Sequence, residues 1–371
     1  MQSATPKSPT PRRRPTIADV ARLCGLSKAT VSKALNLSAD DCPLLPETRQ
    51  RVISAAASIG YRPSWRGRVL ARRKSHMIGV LYDGRPYRGT IPRGVYWNIV
   101  DYLDELMEQA GYSSTFVRVK DQEEQCEQVL GDQRFDGCLS LGNLPQPALD
   151  TLKRYDIPAV LINTHLSSEW TQVSVDDVRG TYTILQHLYD LGHRRITYYP
   201  GRWNTPLPVA GIRSNAYLQF MKDAGLEPDE LFVGPISTFV DRILHGPYKP
   251  TAVLDFEHWT AVRALQELWR RGVRVPEDLS YATFNDTYPV DAVIPPLTVM
   301  ALPSQTIAEK AMELLLQRID ASEPVAPQQL VLSEHLVIRE STAPPRAELQ
   351  ISGVKATRPV PHPISQKEVN P

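Results

Sequence analysis

Lys28, Ala29, Thr30, Ser32 and Lys33 bring cations, hydroxyls and small side chains together in one six-residue stretch. Ammonium and hydroxyl groups suit phosphate oxygens, and small side chains let a backbone approach base edges in a DNA groove. The flanking residues show how such a set would be held. Ile17, Val20, Ala21 and Leu23 form one apolar face, and Val31, Ala34 and Leu35 recur at helical spacing further on. Gly25 permits a sharp reversal between the two runs, and Ser27 is placed to cap the second. The spacing predicts two short helices joined by a tight turn, the unit that lays its second helix in the major groove. A third helix is predicted to open at Pro46-Glu47-Thr48-Arg49, bury Val52, Ile53, Ala56 and Ile59, and end at Gly60.

Charge supports this reading locally and hides it globally. Residues 1–74 hold 15 Lys and Arg against 4 Asp and Glu; taken from chain totals of 42 and 41, this leaves 27 against 37 for the remainder. A basic head on an acidic body binds phosphate at one end only. Cys24, Cys42, Cys126 and Cys138 show no metal-ligand spacing and are too few for a disulfide scaffold, so reduced thiols and no metal or cofactor are expected. No apolar run reaches the length of a membrane span, and Arg12-Arg13-Arg14 leads into the helical pattern where an export signal would need an apolar core. A cytoplasmic location without membrane contact is the expectation.

From Met77 onward short apolar runs alternate with amphipathic helices. Strands are predicted at 77–81, 115–119, 137–141, 159–162, 195–199, 252–254 and 279–283, and helices at 95–110, 180–191, 214–224 and 259–271. That number of alternations fits two doubly wound lobes, whose ligands bind beyond the carboxyl ends of the strands. The resulting division is a disordered basic arm (1–15), a helix-turn-helix domain (16–62), a hinge (63–76), a two-lobed body (77–343) and a Pro-rich disordered tail (344–371).

Over residues 16–342 the chain resembles the lactose/galactose-repressor (LacI/GalR) family of bacterial transcription regulators. The resemblance is carried by residues 16–36, Pro46-Glu47-Thr48-Arg49 through Gly60-Tyr61-Arg62-Pro63, Ile78-Gly79-Val80, Asp136-Gly137, Ile157-Pro158, Val173-Ser174-Val175-Asp176-Asp177, Leu191-Gly192-His193-Arg194-Arg195-Ile196, Val275-Pro276-Glu277-Asp278-Leu279-Ser280 and Pro296-Leu297-Thr298. It implies an all-α helix-turn-helix head, an α/β two-lobed periplasmic-binding-protein-like body, and a ligand-controlled repressor acting as a homodimer on a palindromic operator. In this frame Lys28, Ala29 and Lys33 contact base edges, while Thr16, Ser27, Thr30, Ser32 and Asn36 fix the head on the DNA backbone. Lys33 stands where the family commonly has Arg, and it lacks the fork that engages guanine bidentately. Leu70 falls at the position of a minor-groove wedge within a hinge helix, and Gly67, at a position usually Ala, lowers that helix's intrinsic stability by about 1 kcal/mol.

The effector cleft matches less closely. Arg213 sits where the family places a ligand-gripping Arg, and Asp176 and Asn285 fall on segments that line the cleft, with Asp177 and Asp286 as neighbours that hold turns. Glu257-His258 replaces the usual Asn-Asp before a helix. His258 is equally compatible with a cleft or a structural role, and Tyr96 and Trp97 with stacking on a sugar face or with core packing. The resemblance implies a small carbohydrate-like effector. No Gly-x-Ser-x-Gly elbow, phosphate loop or zinc spacing supports an enzymatic reading.

Overall fold

The computed structural model describes residues 15–37, 42–61, 74–83, 94–132, 134–164, 168–201 and 208–346. Residues 63–73 of the expected hinge, with Gly67 and Leu70, residues 1–14 of the basic arm and residues 347–371 of the tail lie outside them.

Three helices build the head: α1 (Ile17–Cys24), α2 (Lys28–Asn36) and α3 (Pro46–Ser58). Val20, Ala21, Val31, Ala34, Val52 and Ala56 meet in one small core. Gly25 takes the left-handed conformation (φ 64°) that ends α1, and the Ser27 hydroxyl accepts from the Thr30 amide at 3.1 Å. Leu23 departs from expectation: it is 59% exposed, because it lies two positions after the buried Ala21 and so turns off the apolar stripe.

The body has two lobes. In the first, β1 (Met77–Asp83), β2 (Ser113–Val119), β3 (Gly137–Leu141), β4 (Ala159–Ile162), β5 (Gln172–Val175) and β10 (Gln329–Leu332) form a sheet of order β10-β5-β4-β3-β1-β2 in which every pairing is parallel. Both faces are covered. Val80, Leu139, Leu141, Val160 and Ile162 pack against α4 (Trp97–Gln109) and α11 (Ser304–Asp320); the alternate residues Leu81, Cys138, Ala159 and Leu161 pack against α5 (Glu123–Leu130) and α6 (Gln146–Arg154).

The second lobe repeats the scheme with order β11-β9-β8-β7-β6: β6 (Ile196–Tyr199), β7 (Ala252–Asp255), β8 (Ser280–Phe284) and β9 (Thr298–Ala301) are parallel, and β11 (His335–Val337) is antiparallel to β9. Tyr198, Leu254, Ala282 and Phe284 face α7 (Asp177–Asp190) and α8 (Pro208–Asp223), whereas Val253, Tyr281 and Val299 face α9 (Ile236–His245) and α10 (His258–Arg270). The body stays packed through Arg346, slightly past the expected end at 343. Ala343 offers its carbonyl to the His193 ring at 2.9 Å, and Arg346 pairs with Asp278 at 3.2 Å.

Three crossings join the lobes: β5 runs into α7, β9 into α11, and β10 into β11. The first two leave the carboxyl ends of parallel strands and enter the other lobe. Those ends therefore face each other, which places a ligand site at the junction.

Candidate functional sites: a cationic helix face and the interlobe junction

On the head, Lys28, Ala29 and Lys33 are exposed and Thr30 and Ser32 are partly so, while Val31 and Ala34 hold the opposite side of α2 in the core. One face is thus free to enter a groove. Two residues assigned to DNA by sequence have internal duties. Asn36 is only 4% exposed and donates from its side-chain amide to the Ser32 hydroxyl at 3.1 Å. Thr16 starts α1 and gives its hydroxyl to Asp19 Oδ2 at 2.7 Å.

At the junction, Arg213 on α8 is 3% exposed and engaged on several sides. Its Nε donates to Asp177 Oδ1 at 2.7 Å, its Nη1 donates to the Phe256 carbonyl at 3.0 Å, and its guanidinium lies 3.8 Å from the Phe284 ring centroid. Its Nη2 is 3.8 Å from Glu334 Oε1 on the β10–β11 crossing. Burial works against the charge of Arg213, but Asp177 and then Glu334 outweigh it and the guanidinium stays ionised. The Glu334 carboxyl lies over Gly180 in space that a Cβ at that position would fill. Neither Glu334 oxygen accepts a hydrogen bond. Burial, partly offset by Arg213 and reinforced by Asp177 and Asp176, pushes its carboxyl up to about 8.

The two aspartates differ in their surroundings: Asp176 is partly exposed and Asp177 is buried. Asp176 caps α7 by accepting from the Arg179 amide at 2.9 Å, whereas Asp177 is the buried partner of Arg213. Glu257 is likewise a cap, accepting from the amides of Trp259 and Thr260 at 3.1 and 3.0 Å. These positions follow from helix physics, since the first amides of a helix need acceptors. Asp255, at the end of β7, accepts from the Tyr281 hydroxyl at 2.8 Å and from the Thr260 hydroxyl, and burial pushes it up to about 8.

His258 opens α10, is 2% exposed, and has no hydrogen bond to either ring nitrogen; burial pulls it down to about 4, so the imidazole is neutral. Gly94 of the first lobe closes over it. With φ at 101°, a Cβ on Gly94 would stand 2.7 Å from His258 Nε2 and 2.9 Å from Trp259 Nε1. The same residue accepts from Thr287 at 2.9 Å, and Asn98 donates to the Asp286 carbonyl at 3.2 Å, so the lobes touch beside His258. Asn285 is 7% exposed with φ 73° at the end of β8. Tyr96 is 4% exposed and belongs to the core of the first lobe, while Trp97 is half-exposed.

Sequence reasoning missed Asn143, Asn163 and Glu334. Asn163 directly follows β4 and Asn143 lies two residues beyond the end of β3, and the Oδ1 atom of each is buried without a hydrogen-bond partner. Asn163 also adopts a positive φ of 52°, a costly conformation concentrated at functional sites. An Asn at or just past the end of a short apolar run was the available signal for both. Glu334 gave none, because only folding brings it against Gly180 and Arg213. Among the described residues no His, Cys, Asp and Glu group could hold a metal ion, and no helix is long and apolar enough to cross a membrane.

Comparison with known proteins agrees with this geometry. Residues 16–64 match the model for bacterial regulatory proteins of the lacI family, and 185–342 match that for the periplasmic binding protein-like domain. The HTH-type transcriptional repressor CytR of Escherichia coli K12 is 29% identical over 343 residues, covering 88% of this chain and 96% of its own. The HTH-type transcriptional regulator CelR of Thermobifida fusca is 28% identical over 344 residues, covering 89% and 99%. A crystal structure of the lac repressor dimer bound to operator and an anti-inducer superposes with a TM-score of 0.73 at 23% identity, covering 89% of this chain and all of that one. A structure of a CelR–cellobiose complex gives 0.64 at 26%, covering 88% and 100%. With a lacI-type head and a periplasmic-binding-protein-like body in one order along nearly the whole length of its relatives, the chain belongs to the LacI/GalR family of bacterial transcriptional regulators.

Proposed function

We propose that this chain is an operator-specific transcriptional repressor whose DNA affinity is set by a small carbohydrate-like effector bound between the lobes. The observation that carries the reading is the interlobe junction. Arg213, His258, Asn143, Asn163 and Asn285 lie on segments at or near the carboxyl ends of the two sheets, and the lobes are joined there by three crossings. A ligand that favours one lobe arrangement shifts the population of that arrangement and, with it, the spacing of two heads in a homodimer. The lac repressor dimer on its operator and the cellobiose-bound CelR supply the analogy for DNA and for ligand class. The protein acts in the cytoplasm and performs no catalysis on this reading.

In this assignment Lys28, Ala29 and Lys33 read bases and Ser27, Thr30 and Ser32 hold phosphates. Leu70 is the proposed wedge. A genomic footprint supplies the operator, and fluorescence anisotropy at several salt concentrations supplies the test. Affinity falls steeply with salt, and Lys33→Ala weakens operator more than random DNA. Equal losses on both DNAs would reduce Lys33 to a phosphate contact, and the absence of any footprint would refute operator binding.

A further inference from the structure

The last residues of the expected hinge, Lys74, Ser75 and His76, are held to the first lobe. Asp136, directly before β3, accepts with Oδ1 from the Ser75 amide at 2.6 Å and the Ser75 hydroxyl at 2.8 Å, and with Oδ2 from the His76 amide at 2.8 Å. His76 takes a left-handed φ of 53°, a costly conformation for a residue with a side chain. It is kept there from three sides: its amide by Asp136, its carbonyl by the Ser113 amide at 2.9 Å, and its ring by that of Tyr112, 5.6 Å between centroids. Lys74 adds an exposed ion pair, at 2.6 Å, to Asp320, the last residue of α11. None of this is needed to make β1 a strand, because Met77–Asp83 is paired in parallel with β2 and, over 78–81, with β3. What the clamp fixes is the point and the direction in which the chain leaves the body.

That point lies across the first lobe from the crossings. α11 begins at Ser304, just after the crossing from β9, and its 17 residues run about 25 Å to Asp320 beside Lys74. A rotation of about 10° about the crossings carries a point at that distance through about 4 Å. Freeing residues 74–76 would lengthen the connector by about 10 Å, at roughly 3.5 Å per residue, which is more than that movement. Resting on the effector-responsive reading above, we propose that Asp136 is a positioning residue for DNA control: it removes slack between body and head, so that movement of the first lobe reaches the DNA instead of being absorbed.

The test uses the full-length protein, the footprinted operator and fluorescence anisotropy in a double-mutant cycle, with a lobe-opening substitution in place of a cleft ligand. Gly94→Leu drives a side chain into the space of His258 and Trp259 and forces the lobes apart there. With Asp136 present it changes operator affinity by about fivefold or more, and in the Asp136→Ala background by less than about twofold. The cycle cancels whatever Asp136→Ala does to affinity by itself, so a merely structural role for Asp136 does not mimic the result. Asp136→Asn keeps one acceptor oxygen and gives an intermediate value, which serves should the alanine variant not fold. Hydrogen exchange at Ser75 and His76 speeds up in Asp136→Ala by about tenfold or more. The clamp is overturned if the Gly94→Leu change is the same size with and without Asp136, or if exchange at residues 75–76 is unaltered; either result leaves the ligand-responsive repressor standing. Operator affinity unmoved by Gly94→Leu with Asp136 in place overturns the clamp and that reading together.

Discussion

Removing the Arg213 charge tests the junction most directly. In Arg213→Met the side-chain stem is largely kept and the guanidinium is lost, leaving the Asp177 and Glu334 side chains, 1% and 0% exposed, facing each other without a cation. Breaking a buried ion pair by deleting one partner costs about 3–5 kcal/mol, since the survivor stays desolvated and uncompensated. At about 2–4 °C per kcal/mol for domains near this size, the expected fall in melting temperature is on the order of 10 °C. Thermal and urea unfolding at neutral pH measure it, with operator anisotropy as a check on the head. Asp177→Asn added to Arg213→Met recovers a large part of the loss, because the second change removes the stranded charge. A single-variant loss below about 1 kcal/mol, or a double variant no more stable than the single, would refute Arg213 as the neutralising centre of the junction.

Two further outcomes follow from the same contacts. The His193 and His258 rings, both near 4 through burial, stay neutral across the ordinary histidine range; their contribution to stability is complete above pH 6.5 and is lost as pH falls towards 4, by about 3 kcal/mol each at most. Glu334 and Asp255, pushed up to about 8, act in the opposite sense: their contribution is complete below the ordinary carboxylate range and is lost as pH rises through 8. Ring-proton NMR and unfolding between pH 4 and 9 check both, and imidazole titration near 6.5 would contradict the burial argument. Gly94→Ala places a methyl 2.7 Å from His258 Nε2 at a φ of 101°, so it separates the lobes beside α10 at a cost of about 1–3 kcal/mol. Small-angle scattering reads the separation, and an unchanged radius of gyration together with unchanged stability counts against that contact.

Local sequence carried the elements whose cause is local. The head was legible because Val20, Ala21, Val31 and Ala34 recur at helical spacing around Gly25, and Ser27 caps α2 as its position demands. Strands 137–141 and 159–162 were read to the residue, since runs buried on both faces are bounded sharply by polar ends. Helix boundaries were less secure: α8 starts at Pro208, six residues before the expected 214. The helices α5, α6, α9 and α11 and the strands β5, β9, β10 and β11 were not singled out. Several are short, and β10 and β11 alternate partly buried with exposed residues at sheet edges.

The site depended on tertiary structure for a different reason. The family resemblance singled out Arg213, which is the single buried cation among the described residues, and His258, which opens a helix. Which aspartate meets Arg213 was not readable, because Asp176 and Asp177 differ by one residue and the choice turns on which of them faces inward once α7 is packed. Glu334 lies 121 positions along the chain from Arg213 and approaches it only because β10 and β11 belong to different sheets joined by one short crossing. Periodicity and capping are set by neighbours a few residues away, so the sequence by itself determined the head, the strands β1–β4 and β6–β8, and the family. Burial, the pairing of Asp177 with Arg213 and the unsatisfied acceptors arise from contacts between distant segments, and only tertiary packing decided them.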